Sequence, residues 1–533
     1  MKWTRPIAAI LTALVFAVIV VLPIGAVFWR SVWDDRGFSL AAYGTVLTGA
    51  RQWVLLGNSL AIAAGTAALA TLLGVTCGLA LEYYRVPTRR ILSWCLAVPF
   101  LVPPSIFAMA WVDCLGNNGL VTRLVRIVTG PDAALPSLYT RSGVILVLGL
   151  AYFPVVALST VAALRRFDYR LIEAARLAGR GRRLLSGIVL PVIAPSILTG
   201  ALFVFVLALL GMAVPSLLQV NTYTVEIHAA SAGYDYPAAT AQAIPLLACG
   251  LTAFAVWGLL LRPRQAWLMG ALRQRGDLPV SLHGRAGMMS FCWILVIVSA
   301  VLPLAAIIAR ADSPRSFITV LISAKEEMAA SLAVGAGAAT LLTGLALLMA
   351  FLARGSKWLA RLQVVSIVPF LASGPILGMG LITLWNHPGP PGLVYDSLAV
   401  VVLACAARYC YLAHVGFTAA LRDLHPSLEE AAVLAGVPWH RRLTGIVVPL
   451  LWPALAAAWG LGFLFTVREV DATVLVCPPG VTTLPVRLFT LMHYGPSSDV
   501  AALSLLTVTL VLVGAALTAV AYHQAKRIVY ARY

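Results

Sequence analysis

Few side chains in this sequence could do chemistry, and most of those lie beside long apolar runs. Arg408 is the clearest, held between Ala406-Ala407 and Tyr409-Cys410-Tyr411. An ionisable group at membrane depth is a functional candidate by default. The alternative is a buried structural arginine bonding carbonyls between helices. Glu469 and Asp471 follow another apolar run in Arg468-Glu-Val-Asp471, and Glu226 and His228 follow Gly211-Met-Ala-Val-Pro215. These five are candidate lining residues of a translocation path, or, for the last four, residues of wet outer loops. Tyr223, Tyr234 and Tyr236 share the outer segment with Glu226. Phenolate and carboxylate oxygens suit a hard cation, but tyrosines at a membrane interface are ordinary and the belt reading is preferred.

No His, Cys, Asp or Glu cluster has metal-ligand spacing, so no metal site and no catalytic residue is assigned. Cys114 and Cys477 fall in expected outer loops and form the one candidate disulfide. None of Lys2, Lys325, Lys357 and Lys526 follows a glycine. A P-loop needs that Gly-Lys step to reach the terminal phosphates, so no ATP or other cofactor is expected on this chain.

The elements that must position these residues follow from hydropathy. Hydrophobic residues make up 61% of the 533 and charged ones 11%, with mean hydropathy +0.93. Soluble domains carry roughly 25% charged residues, so the expected fold is all-α, a polytopic membrane protein with about twelve transmembrane helices. Apolar runs fall near 7–29, 54–81, 91–112, 141–163, 188–212 and 239–261, and again near 288–309, 329–352, 363–385, 398–420, 446–466 and 499–521. The first resembles a signal peptide but is long enough to span and lacks a small-residue cleavage site. With the N-terminus inside, inner segments carry 26 Lys/Arg and outer ones 11. The positive-inside rule then puts both termini in the cytoplasm. The net charge of +18 is a topology signal and does not point to nucleic acid, because the arginines occupy short loops.

The runs form two copies. Glu173-Ala-Ala-Arg-Leu-Ala-Gly179, then Ile188-Val-Leu-Pro191, follows the fourth run. Glu430-Ala-Ala-Val-Leu-Ala-Gly436, then Ile446-Val-Val-Pro449, follows the tenth. Six spans per copy keep both in one orientation, as parallel repeats. The expected division is 1–261, a first six-helix half; 262–287, a cytoplasmic linker; and 288–533, a second half. Each loop reads as a short helix ended by a left-handed glycine, Gly179 or Gly436. Ser427 with Glu430 fits a capping box, but Arg170 replaces the serine in the first copy. The paired alanines, Ala174-Ala175 and Ala431-Ala432, let another surface approach closely, so a cytoplasmic partner docking on both loops is the sharper reading.

Here the sequence resembles a known family. E-A-A, three residues, G, nine residues, I-x-L-P is the cytoplasmic loop signature of permease subunits in binding-protein-dependent type I ABC importers. Val448 stands in place of leucine, and the first loop is one residue shorter between Gly179 and Ile188. The resemblance implies that these loops dock two copies of a cytoplasmic ABC ATPase, which carries the ATP and Mg. It further implies a periplasmic or lipid-anchored substrate-binding protein and a multi-pass place in the cell inner membrane. The family often carries an arginine where Arg408 stands. Both halves in one polypeptide look most like ferric-iron, thiamine and aminoethylphosphonate permeases. Ferric iron is the first choice of cargo because it gains from acidic groups along the path. The rivals are an ion-coupled secondary transporter, which has no use for paired Glu-Ala-Ala loops, and a membrane-embedded enzyme, which would need acidic or histidine clusters.

Overall fold

The computed structural model describes residues 4–34, 37–116, 119–130, 136–167, 184–271, 284–311, 314–494 and 497–532. Apart from one antiparallel two-stranded ribbon, Trp33–Asp34 with Gly37–Phe38, regular structure among these residues is helical. Among the described residues, nine helices are long and apolar enough to cross a membrane, and three bent pairs bring the number to twelve if each is one span. Each coincides with one apolar run of the sequence.

The bends have local causes. The third run of the first copy is Arg89–Leu101 and Pro104–Leu115, at 97° to each other; its counterpart is Lys357–Leu371 and Gly374–Trp385, at 111°. Both breaks follow a repeated Val-Pro-Phe-Leu, at 98–101 and 368–371. Pro103-Pro104 breaks the first, since proline lacks the N–H and disfavours helical geometry in the residue before it. Ser373-Gly374-Pro375 plays the same part in the second, with Ala372 and Ser373 extended. The eleventh run bends by 79° between Trp439–Leu450 and Trp452–Val467, next to Pro453.

Wide π-turns also recur at matching places. Ala17–Val21 and Ile297–Val301 precede Leu22-Pro23 and Leu302-Pro303; Leu185–Val189 and Leu443–Val447 precede Pro191 and Pro449. In each case the carbonyl four residues before the proline lies inside the wide turn. A widened turn relieves the clash between that carbonyl and the proline ring.

Residue contacts divide the chain into two compact units that cut across the sequence copies. One holds Met1–Thr48, Glu226–Ile244 and Ala311–Tyr533; the other holds Gly49–Val225 and Pro245–Arg310. The opening helix of each copy thus belongs to the unit built mainly from the other copy.

In the unit containing Gly49–Val225, the helix Ala50–Gly78 packs on Arg141–Arg165. Gly74 and Gly78 allow it, facing Phe153, Val156 and Thr160 so closely that a Cβ would collide. Small residues four apart bring helices together in this way. The opening helix of the second copy, through Leu302–Arg310, lies on Pro104–Leu115, where Arg310 forms an ion pair with Asp113. Cys114 is buried in that contact, its thiol 3.7 Å from the Leu302 carbonyl.

In the other unit, Lys325–Ala353 packs on Ala399–Asp423 and Trp452–Val467. The opening helix of the chain, through Leu22–Val32, crosses Gly374–Trp385, and Gly380 lies against the Pro23 carbonyl with no room for a Cβ. Cys477 follows the short helix Thr473–Val476. Cys114 and Cys477, the candidate disulfide, are both free thiols. Cys114 belongs to a buried helix, not to an outer loop, and burial raises the pKa of the Cys477 thiol.

Candidate functional site

The second Glu-Ala-Ala loop folds as a nine-residue helix, Pro426–Leu434. Pro426 opens it, where proline's missing N–H costs nothing. That displaces the expected capping box. His425 is the N-cap residue, Ser427 lies inside the first turn, and its hydroxyl shares a 2.7 Å hydrogen bond with His425 Nδ1. Gly436, at φ +72°, ends the segment. The Val437 N–H donates to the Ala432 carbonyl at 2.9 Å and the Gly436 N–H to the Val433 carbonyl at 3.0 Å. These are the paired bonds of a glycine-terminated helix.

Ala432 is buried, whereas Glu430 and Ala431 are exposed. Leu434 is 89% exposed, and Leu428 and Val433 are about half exposed beside it. That is an unusual amount of exposed aliphatic surface for one short helix in a polar loop. The helix is anchored by Glu429, whose carboxylate meets Arg354 Nη1 at 2.5 Å and Arg442 Nη1 at 3.6 Å. Arg354 caps the C-terminal end of Lys325–Ala353, and Arg442 leads into the eleventh run. Glu173, Ala174, Ala175 and Gly179 lie outside the described residues.

A second constellation gathers three of the five candidate path residues. Arg408 Nη1 donates to Glu469 Oε1 at 2.7 Å, and its Nη2 lies 3.5 Å from Asp471 Oδ2. The Tyr409 hydroxyl donates to Glu469 Oε2, and the Ala472 N–H donates to Glu469 Oε1 at 2.9 Å. Gly374, at the bend in the ninth run, leaves space for the Arg408 guanidinium and Asp471; a Cβ there would strike both. One cation thus faces two carboxylates, all at least nine-tenths buried. Buried charge is tolerated when paired and hydrogen-bonded. Two expectations are corrected here: Arg408 bonds carboxylates rather than carbonyls, and Glu469 and Asp471 do not lie in a wet loop. The short helix Thr473–Val476 that follows them packs on Ala399–Asp423, which carries Arg408.

Glu226 and His228 are half-buried on the helix Tyr223–Ala232. Two residues apart on a helix, they leave on different sides, so they do not form a common site. Tyr223 is no belt residue: it is 1% exposed, and its N–H donates to Ser59 Oγ at 2.8 Å. Tyr234 is exposed, and the Arg30 guanidinium lies 4.6 Å from the centre of the Tyr236 ring. Among the described residues, no group of three His, Cys, Asp or Glu could hold a metal ion.

Comparison with known proteins now bears on this geometry. Residues 70–267 match the family described as binding-protein-dependent transport system inner membrane component. The probable ABC transporter permease protein y4fN of Sinorhizobium fredii is 25% identical over 505 residues, covering 86% of this chain and 85% of that protein. The putative ferric transport system permease protein FbpB 1 of Haemophilus influenzae is 22% identical over 484 residues, 86% of this chain and 75% of that one. The putative 2-aminoethylphosphonate transport system permease protein PhnV of Salmonella typhi is 29% identical over 248 residues, 44% of this chain but 93% of its own length. Residues 70–267 match this family, and along most of its length the chain is similar to proteins named ABC transporter permease. It has the long form in which one polypeptide supplies both membrane halves, since a shorter relative aligns nearly entire with less than half of it.

Sequence reasoning had passed over two parts of the permease. Glu429 carries no local signal beside the motif's Glu430, and its partner Arg354 lies far away in the sequence. The repeated Val-Pro-Phe-Leu before each bend was the available signal for the broken helices.

Proposed function

We propose that this permease imports a small solute presented by a substrate-binding protein, driven by two copies of a separate ABC ATPase that dock at 172–187 and 429–445. The observation that carries the reading is the Pro426–Leu434 helix: stopped by Gly436, anchored by Glu429, and offering Ala431 and Leu434 outward. ATP and Mg belong to the ATPase, and the excess of inner Lys/Arg supports cytoplasmic termini. Closure of the ATPases would push on these helices and rock the permease between outward- and inward-facing states.

Ferric iron remains the first cargo to test, supported by a relative whose name carries it. The carboxylates first credited to the path, Glu469 and Asp471, are committed to Arg408, so selection falls mainly to the binding protein. A second reading, 2-aminoethylphosphonate, is favoured by the relatives named for that solute. The test is uptake by proteoliposomes holding the permease, its ATPase and the cognate binding protein. ATP-dependent accumulation of radiolabelled iron supports the first cargo; accumulation of the phosphonate alone replaces it. Uptake of either that ignores ATP but follows an ion gradient would overturn the importer reading.

A further inference from the structure

One helix outside the spans is turned the opposite way from a helix in water. Leu120–Thr129 is ten residues long and ends at Gly130, which has φ +109°. At about 1.5 Å per residue it reaches only about half the thickness of the hydrocarbon core, so it cannot span. It packs on Pro104–Leu115 within the unit that holds Gly49–Val225. Successive residues turn by about 100°, so Leu124, Ile127 and Val128 share one face. Thr122, Arg126 and Thr129 occupy the opposite one.

The polar face is the one turned toward the protein. Thr122 is 3% exposed and Arg126 is half-buried, with Thr129 exposed at the helix end, whereas Leu124, Ile127 and Val128 are 55%, 80% and 84% exposed. A loop helix in water would show the reverse burial. Arg123, also exposed, borders the aliphatic stripe, and the segment 119–130 contains no acidic and no aromatic residue.

We propose that Leu120–Thr129 lies in the plane of the membrane interface, with Leu124, Ile127 and Val128 among lipid acyl chains and Arg123 at the lipid phosphates. Three observations select lipid over a docking protein. The stripe is purely aliphatic, whereas the cores of protein interfaces are enriched in aromatic residues and methionine. Basic charge without acidic charge complements headgroup phosphates. Residues 116–119 and 130–140 tie the helix to Leu115 and Arg141, at the ends of membrane-crossing segments, which keeps it within reach of the bilayer surface.

The test places nitroxide labels, one at a time, in a cysteine-free full-length permease reconstituted in phosphatidylethanolamine–phosphatidylglycerol vesicles. Labels at Leu124→Cys, Ile127→Cys and Val128→Cys should favour collision with oxygen over a water-soluble nickel chelate. The ratio should exceed that at Thr129→Cys several-fold. Arg123→Glu should shift the Val128 label toward the nickel reagent; an unchanged ratio removes the phosphate contact from the proposal. Equal nickel access at all four positions overturns it. Nickel access at Val128 that disappears only on adding the substrate-binding protein also overturns it, and assigns the face to protein docking.

Discussion

The Glu429 carboxylate holds the Arg354 guanidinium at 2.5 Å, while the adjacent Glu430 is exposed. Only the first of the two acidic residues therefore fixes the short helix to the end of Lys325–Ala353. An ion pair this accessible contributes only about 0–1 kcal/mol to folding. It ties Pro426–Leu434 to the end of a membrane-spanning helix.

Glu429→Gln and Arg354→Gln should each fold and insert, yet lower solute uptake per ATP hydrolysed. If they act through one contact, the double variant is no worse than either single. Additive losses in coupled transport assays would show that the pair does not act as a unit.

Gly436→Val forces a β-branched side chain into the left-handed region, costing about 1–2 kcal/mol locally, and should release the ATPase during affinity purification. Gly436→Asn, which tolerates that geometry, should retain most of it. Leu434→Asp removes the exposed apolar contact without touching the backbone and should also lose the ATPase, with monodispersity in detergent unchanged.

Arg408→Met strands two buried carboxylates and should lower stability by about 3–5 kcal/mol, read as a fall in the thermal midpoint of the solubilised permease. Adding Glu469→Gln and Asp471→Asn should recover part of the loss. Arg408→Lys should not match the wild type, because an ammonium lacks the fork that reaches both partners.

Gly380→Ala should destabilise the helix crossing, since the new methyl group meets the Pro23 carbonyl. Gly344→Ala is the control: nothing lies within 4 Å of its Cβ position, and alanine favours the helix by about 1 kcal/mol. Opposite signs in thermal midpoint are expected for the two.

Single cysteines placed within 165–186, 262–286 or 422–445 should resist membrane-impermeant maleimide in intact cells. Labelling at any of the three would reverse the orientation proposed from the arginine distribution.

The spans were legible because apolar length is a local property, and each run became one helix or one bent pair. The bends were legible in principle at Pro103-Pro104 and Gly374-Pro375, where local chemistry again decides. What escaped was non-local. Glu469 lies far along the chain from Arg408, and nothing in the composition around either names the other as its partner. Ser427 misled for a different reason: its spacing to Glu430 fits a cap, but Pro426 starts the helix two residues too early for serine to serve.

The membership of the opening helix has a consequence for biosynthesis. Its partner at Gly380 leaves the ribosome hundreds of residues after Pro23, a delay on the order of tens of seconds at bacterial elongation rates. Throughout that time the first helix must wait in the bilayer without the helix it crosses, a wait made tolerable because a helix satisfies its own backbone in lipid. A ribosome stalled near residue 300 would leave it orphaned. Nascent chains truncated before the ninth run should therefore be degraded by membrane proteases, and those extending through Trp385 should begin to resist them.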